Sequence, residues 1–239
     1  MAIFDSVNQN ISHQTKMLGT PLKKREHDIE YYDEEFPYII INNAFNEKEL
    51  KLVWEELDFL CYDWKDFSAM NPQTAGKWDR NLTSRHEVFL QNLYASPYAS
   101  SIIKQYLDCF TNTGFKTIFK NHPSHWFFKK QMTIGVNYLI NYYENSNYYK
   151  PHKDQGFFTG LHWFFREPKK FEGGEFIFSD YDKKIKVENN KMLIFPGCIK
   201  HEVTPVKMEA EDVGKKLGRW SITSFFDQDE NKCVAPIFD

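Results

Sequence analysis

Tyr142-Tyr143-Glu144-Asn145-Ser146-Asn147-Tyr148-Tyr149-Lys150-Pro151-His152-Lys153-Asp154 opens the stretch that decides the fold, and Arg219-Trp220-Ser221-Ile222-Thr223 closes it. Between them stand Phe171-Glu172-Gly173-Gly174-Glu175-Phe176 and Phe195-Pro196-Gly197-Cys198-Ile199-Lys200-His201-Glu202-Val203. His152 and Asp154 are two apart, so on extended backbone both side chains leave one face. Arg219, Ser221 and Thr223 alternate in the same way and point together. His201 follows Phe195-Pro196-Gly197, a strand end and turn that can swing an imidazole back over a cavity.

Upstream of this stretch the sequence has a period of two. Met132, Ile134, Val136, Tyr138, Ile140 and Tyr142 alternate with Thr133, Gly135, Asn137, Leu139 and Asn141, which predicts a strand from about Lys130 with one face committed inward. Further short strands are predicted at 160–165, 174–179, 184–187, 191–195, 202–206 and 220–226. Glu167-Pro168, Gly173-Gly174, Asn189-Asn190 and Pro196-Gly197 punctuate them. Many short strands at this spacing indicate a sandwich or barrel.

The first half of the chain reads differently. Phe36-Pro37 leads into the β-branched run Tyr38-Ile39-Ile40-Ile41, a strand. Asn46 and Glu49 form a capping-box pattern, Phe45 and Leu50 a hydrophobic staple, and Leu50, Val53, Trp54 and Leu57 recur at helical spacing. Pro97 starts a second helix through Phe110, with Ile102, Ile103, Tyr106, Leu107 and Phe110 as its apolar side. Residues 1–35 read as a loosely held arm, 61–95 as a long surface excursion and 229–239 as a tail. That leaves a single domain, 36–228, with helical support and loops over 36–130 and a β core over 131–228.

With 239 residues, 41% hydrophobic and 17% aromatic, the chain has ample volume for a closed core. The net charge of −3 and the absence of a long basic block argue against nucleic acid as the main partner, since Lys23-Lys24-Arg25 and Lys215-Lys216 are the densest positive spots. Cys61, Cys109, Cys198 and Cys233 lack Cys-x-x-Cys spacing and read as reduced thiols. The N-terminus carries no secretion pattern, and no run approaches the ~20 apolar residues of a spanning helix. The expectation is a soluble cytoplasmic protein without a membrane partner.

Taken singly, each histidine has an ordinary structural reading. His122 and His125 in a turn read as surface, and His162 in an aromatic strand reads as a hydrogen-bonded core residue or a pocket group. The combination of His152, Asp154 and His201 says more. Two His and one carboxylate with open positions are the facial ligand set of non-haem Fe(II) oxygenases. The same three residues can hold Zn(II) in a hydrolase, although Arg219 with its hydroxyl neighbours argues against that alternative.

The segment from about 130 to 228 resembles the catalytic core of the 2-oxoglutarate- and Fe(II)-dependent dioxygenases, in their prolyl-hydroxylase-like branch. Tyr142, His152-x-Asp154, Gly173-Gly174-Glu175-Phe176, Phe195-Pro196, His201-Glu202-Val203 and Arg219-Trp220-Ser221-Ile222-Thr223 carry the resemblance in order. It implies a mostly β fold with supporting α-helices, a double-stranded β-helix (jelly-roll, cupin-like) barrel. It implies Fe(II) on His152, Asp154 and His201, with 2-oxoglutarate and O2 as cosubstrates and ascorbate as a candidate reductant. The far carboxylate of 2-oxoglutarate would pair with Arg219, a bidentate fork. Ser221 or Thr223 would add a hydroxyl, and Tyr142 would contact the cosubstrate.

Two departures stand out. Where the family often has a tyrosine on the strand after His-x-Asp, the alignment places Phe164, so Tyr138 or His162 is the candidate for the missing hydrogen bond. The spacing from His201 to Arg219 is also longer than usual, through the charged 208–218 loop, a candidate lid or a solvated hairpin. The implied reaction is hydroxylation of an unactivated C–H on a prolyl or other side chain of a protein or peptide, with succinate and CO2 as co-products. Asp154 argues against halogenation, and Trp163, Phe157, Phe158, Tyr148 and Tyr149 would suit a ring or peptide at the mouth. A small-molecule hydroxylase acting on a free amino acid or metabolite, and a non-catalytic cupin-like binding module, are the alternatives.

Overall fold

The computed structural model describes residues 28–60, 82–94, 96–112, 115–125 and 135–227. The arm up to residue 27, most of the expected excursion (61–81), the start of the strand expected from Lys130 and the tail lie outside the described residues. The strands are β1 (Asp28–Asp33), β2 (Pro37–Asn42), β3 (Thr83–Ser84), β4 (His86–Phe89), β5 (Gly135–Tyr143), β6 (Tyr148–His152), β7 (Phe158–Phe164) and β8 (Glu172–Gly173). They continue with β9 (Phe176–Phe178), β10 (Lys183–Ile185), β11 (Lys191–Pro196), β12 (His201–Val203), β13 (Val206–Lys207) and β14 (Arg219–Asp227). The helices are α1 (Glu47–Leu60), α2 (Ser101–Asn112) and α3 (Phe115–Asn121).

Every strand pair is antiparallel. A seven-stranded sheet runs β1-β2-β11-β7-β14-β5-β4, a five-stranded sheet runs β10-β9-β12-β6-β3, and β8 and β13 form a small ribbon. This is the jelly-roll expected from the strand pattern. Among the described residues its two sheets are not joined edge to edge, so they form an open sandwich rather than a closed barrel. Six residues of the expected arm form β1, which pairs along the whole of β2. β3 and β4 occupy part of the expected excursion, and the strand expected over 202–206 is divided into β12 and β13.

The helix start reads as its sequence requires. Glu49 N–H donates to Asn46 Oδ1 at 3.0 Å, and Asn46 N–H donates to Glu49 Oε2 at 2.7 Å. Val53 and Leu57 are buried, with Leu50 and Trp54 packed beside them against the large sheet. Pro97 opens a 3-10 turn, and α2 begins at Ser101. The buried Glu56 of α1 ties the two helices together, accepting from Tyr94 Oη (2.7 Å), Ser100 Oγ (2.8 Å) and Ile102 N–H (2.8 Å). A carboxylate on the first N–H groups of α2 also suits the positive end of that helix.

The large sheet is covered on both faces, and this decides where the site lies. Val136, Tyr138, Ile140, Tyr142, Phe164, Met192, Ile194, Trp220 and Ile222 meet the helices in one core. Tyr38, Ile40, Leu161, Trp163, Leu193 and Phe195 point the other way, toward Phe176, Phe178 and Ile185 of the small sheet. The even-numbered face of β5 is therefore inward, as its alternation predicts, but inward toward the helices. The odd-numbered face meets the space between the sheets.

Candidate active site

The two imidazoles are brought together by strand pairing. His201, the first residue of β12, is the direct cross-strand partner of His152, the last of β6, and their ring centroids are 4.3 Å apart. Asp154 lies just beyond β6. Its N–H donates to Gly197 O at 2.9 Å, and Gly197 N–H donates to Phe157 O at 3.0 Å, so the Pro196-Gly197 turn pins the segment that carries the carboxylate. Gly197 is needed there because a Cβ would stand 2.2 Å from Gly156 O.

His152 Nε2 is 3.7 Å from Asp154 Oδ1, and His201 Nε2 is 3.5 Å from Asp154 Oδ2. One ligand atom from each of the three residues falls within 4.8 Å of the others. The remaining ring nitrogens are committed to backbone carbonyls: His152 Nδ1 to Lys150 O at 2.8 Å and His201 Nδ1 to Ile199 O at 2.9 Å. With Nδ1–H as donor, each Nε2 presents a lone pair to the same point, the orientation metal-ligating histidines need. Burial, reinforced by the neighbouring His201, pushes the His152 pKa down to about 2, so its imidazole is neutral. Thr159 Oγ1 donates to Asp154 Oδ2 at 2.6 Å from β7 and orients the carboxylate. Tyr149 stacks on His152, 3.4 Å between centroids with planes 15° apart. The donor set and the hydrogen bonds that orient it fit a divalent iron.

These residues open onto a cavity between the two sheets. Leu139, Leu161, Phe176, Val203 and Phe225 supply apolar wall, while Arg219, Ser221, Thr223, Asn141 and Tyr143 supply polar groups. Arg219 is fully buried, and Nε, Nη1 and Nη2 all lack a hydrogen-bond partner among the described residues. Burial pulls its pKa down to about 10, against the opposing influence of Tyr143, whose ring lies 5.0 Å from Cζ. Gly174 makes room for it, while a Cβ on Gly173 would meet Pro205 O. Both have positive φ (65° and 62°), and a Cβ on Gly174 would meet Arg219 Cδ at 2.9 Å. An uncompensated buried guanidinium is costly unless a ligand anion completes it. The observation fits a dicarboxylate whose far end reaches Arg219.

Arg85, in the link between β3 and β4, is the second arginine of the cavity. It pairs with Glu87 at 2.5 Å, donates to Thr83 Oγ1 at 2.8 Å and lies 3.9 Å over the Tyr149 ring. Burial works against its charge, yet Tyr143, Glu87 and Tyr149 hold its pKa above the usual arginine range.

The structure brings His152, Asp154, His201, Arg219, Ser221 and Thr223 to one cavity. Tyr142, Tyr138 and His162, expected at the cosubstrate, are not among the residues that line it; all three lie on the helix-facing side of the large sheet. Tyr142 Oη donates to Glu144 (3.1 Å) and accepts from Gly218 N–H (3.1 Å), anchoring the end of the 208–218 loop. Tyr138 packs 5.1 Å from Tyr106. His162 is a satisfied core histidine, with Tyr106 Oη at 2.9 Å on Nδ1 and Asn190 Oδ1 at 3.1 Å on Nε2. Phe164 faces the same helix layer. The 208–218 loop lends no residue to the cavity, and Gly214 N–H is held by Glu144 at 2.7 Å. Of the aromatics expected at the mouth, Tyr149 lines it, while Phe158 belongs to the helix-side core and Phe157 is exposed. His122 is buried, bonded through Nε2 to Tyr32 O at 2.8 Å.

Arg85, Asn141, Tyr143, Tyr149 and Thr159 are site residues that sequence reasoning missed. A signal for two of them was present. Antiparallel register pairs Arg219 with Tyr143 and Ser221 with Asn141, so fixing the face of β14 fixes that of β5.

Residues 138–227 match the family model of the 2OG-Fe(II) oxygenase superfamily. That segment is a 2OG-Fe(II) oxygenase domain, so the chain carries the domain of a 2-oxoglutarate-dependent enzyme. Its fold is similar to that of the Pseudomonas putida prolyl-4-hydroxylase, which superposes with a TM-score of 0.55 at 12% identity, over 82% of this chain and 94% of that one. The viral collagen prolyl hydroxylase of Paramecium Bursaria Chlorella virus-1 (TM-score 0.48, 15% identity, 79% and 94% covered) is also similar. So is a 2OG-Fe(II) oxygenase-family oxidoreductase of Burkholderia pseudomallei (0.48, 14%, 80% and 85%). No curated protein sequence matches the chain. No helix among the described residues is long and apolar enough to cross a membrane.

Proposed function

We propose that this enzyme hydroxylates an unactivated C–H of a prolyl or other side chain in a protein or peptide, forming succinate and CO2 from 2-oxoglutarate. The observation that carries the reading is the fully buried Arg219, with no hydrogen-bond partner among the described residues, in the cavity onto which His152, Asp154 and His201 open. His152, Asp154 and His201 would hold Fe(II), and Arg219 would take the far carboxylate of the cosubstrate. When bound, the iron supplies the oxidative chemistry.

The chain's own residues position and shield. The Lys150 and Ile199 carbonyls and Thr159 fix the ligand orientations. Leu139, Leu161, Phe176, Val203 and Phe225 supply apolar wall beside the polar groups, which lowers the local dielectric and strengthens the polar contacts inside. The charges of the described cavity balance: Arg85 is matched by Glu87, and Arg219 with Asp154 frames a divalent cation and a dianion. No uncommitted cation among the described lining residues is left for the carboxylate of a free amino acid. This favours an uncharged side chain in a peptide over a small acid, as does the fold shared with a prolyl-4-hydroxylase.

The test is succinate formation across a peptide library and a metabolite pool, with products read by mass spectrometry. Peptide-linked succinate, a mass gain of one oxygen, and loss of both in His152→Ala are expected. Turnover confined to the metabolite pool would replace the peptide reading with the small-molecule one.

A further inference from the structure

The two histidines of the triad are walled differently. His201 is set between two fully buried rings, Phe176 of the small sheet at 5.3 Å and Phe195 of the large sheet at 4.9 Å between centroids. His152 ends β6 among the exposed Lys150, Pro151 and Lys153, and among the described residues the rings against it are His201 and Tyr149 alone. Tyr149 is backed by Arg85, the single residue between β3, at the edge of the small sheet, and β4, at the edge of the large one. The Arg85 guanidinium lies 3.9 Å over the Tyr149 ring and pairs through Nη2 with Glu87 of β4 at 2.5 Å. Its Nη1 donates to Thr83 Oγ1 at 2.8 Å, and Thr83, the cross-strand partner of Tyr149, donates from Oγ1 to Tyr148 O at 3.1 Å. An unbroken series of contacts thus runs from Glu87 on the large sheet through Arg85 and Tyr149 to His152 on the small one.

A buried ion pair adds little to stability, because desolvation offsets the attraction. What the pair supplies here is direction. A planar guanidinium held at two points keeps its flat face on the ring, and a cation over an aromatic face is attracted most strongly where water is excluded. The torsion that turns an imidazole about its stem is broad, so the ring plane of a histidine at a strand end is set by its neighbours. The bond from Nδ1 to Lys150 O holds one edge of the His152 ring, and the Tyr149 stack holds its face. We propose that Arg85 is a positioning residue for the metal: through Tyr149 it keeps the His152 ring in the plane that aims Nε2 at the point shared with Asp154 and His201. This rests on the triad's being the metal site of the proposed function, and it explains why a buried Arg85–Glu87 pair stands at the open side of the sandwich.

The test is Co(II) binding to the metal-free protein, without 2-oxoglutarate, read by competition titration and by the visible absorption of the bound ion, beside urea unfolding of the metal-free form. Arg85→Met with Glu87→Gln removes the clamp without stranding a charge. Tyr149→Leu removes the ring, Tyr149→Phe keeps it, and Arg85→Lys keeps a charge for Glu87 but not the flat face over Tyr149. The Arg85/Glu87 double variant and Tyr149→Leu are each expected to lose roughly ten- to hundredfold in Co(II) affinity with a shifted band, while Tyr149→Phe stays within about twofold of the parent. Arg85→Lys should fall between the two. Joining the double variant to Tyr149→Leu should cost no more than either alone, because both break one path. Parent-like affinity and band in the double variant, or losses that add, would overturn the proposal while leaving the metal site in place; a lowered urea midpoint with unchanged Co(II) binding would do the same. Should the double variant not fold, parent-like Co(II) binding by Arg85→Lys overturns it. A parent protein that bound no Co(II) would overturn this assignment and the proposed function together.

Discussion

Replacing Arg219 by Met should make the protein free of metal and cosubstrate more stable, although the residue belongs to the site. The guanidinium is fully buried with no hydrogen-bond partner among the described residues, and burial pulls its pKa down to about 10. At ~1.4 kcal/mol per pH unit, keeping it charged there costs roughly 3 kcal/mol. Methionine lacks the charge and is flexible enough to fill the channel beside Gly174 and Val206, so an expected gain of about 1–3 kcal/mol allows for imperfect packing. Urea unfolding in chelator, without 2-oxoglutarate, measures this as a higher midpoint at unchanged slope. With Mn(II) and 2-oxoglutarate at about a hundred times its Kd, the parent should gain a further ~2.7 kcal/mol and the variant far less. A ligand-free variant less stable than the parent by 1 kcal/mol or more would refute the reasoning, because it would mean that the fold itself satisfies Arg219 without an anion.

Three further outcomes are expected. Thr159→Val keeps the shape but removes the hydrogen bond to Asp154 Oδ2, and should weaken metal binding about ten- to hundredfold by competition titration with little change in the urea midpoint. Gly174→Ala forces a Cβ against Arg219 Cδ and Val206 at positive φ; it should lower stability by about 1–3 kcal/mol and weaken 2-oxoglutarate more than metal. Stability of the metal-free protein should depend on pH through His152. Burial lowers its folded pKa to about 2 from 6.5, so between these values the unfolded chain holds a proton that the folded chain does not. The contribution is fully present above pH ~6.5 and falls by up to ~1.4 kcal/mol per pH unit below it. A urea series from pH 8 to 4.5 on the parent and on His152→Phe should show a shallower decline in the variant; identical slopes would count against a buried neutral His152.

Much of this protein was legible in its sequence because the signals were local. The capping box at Asn46 and Glu49 forms as its residues require, and the turn punctuation divides the second half into the strands of a jelly-roll. His152, Asp154, His201 and Arg219 could be singled out because each stands beside its own turn or alternation. The face of β5 could not be read in the same way. In a strand buried on both sides, a period of two separates the faces without saying which one meets helices and which meets a cavity. Tyr142, Tyr138 and His162, expected at the cosubstrate, lie on the helix-facing side, while Leu139, Asn141 and Tyr143 of the other parity line the cavity. The pairing of Tyr143 with Arg219 across β5 and β14, the stacking of Tyr149 under Arg85, and the gathering of Trp163 and Ser221 beside the guanidinium were decided only by the tertiary structure. Such contacts join residues far apart in the chain, and register and layer order, which no local propensity encodes, determine them.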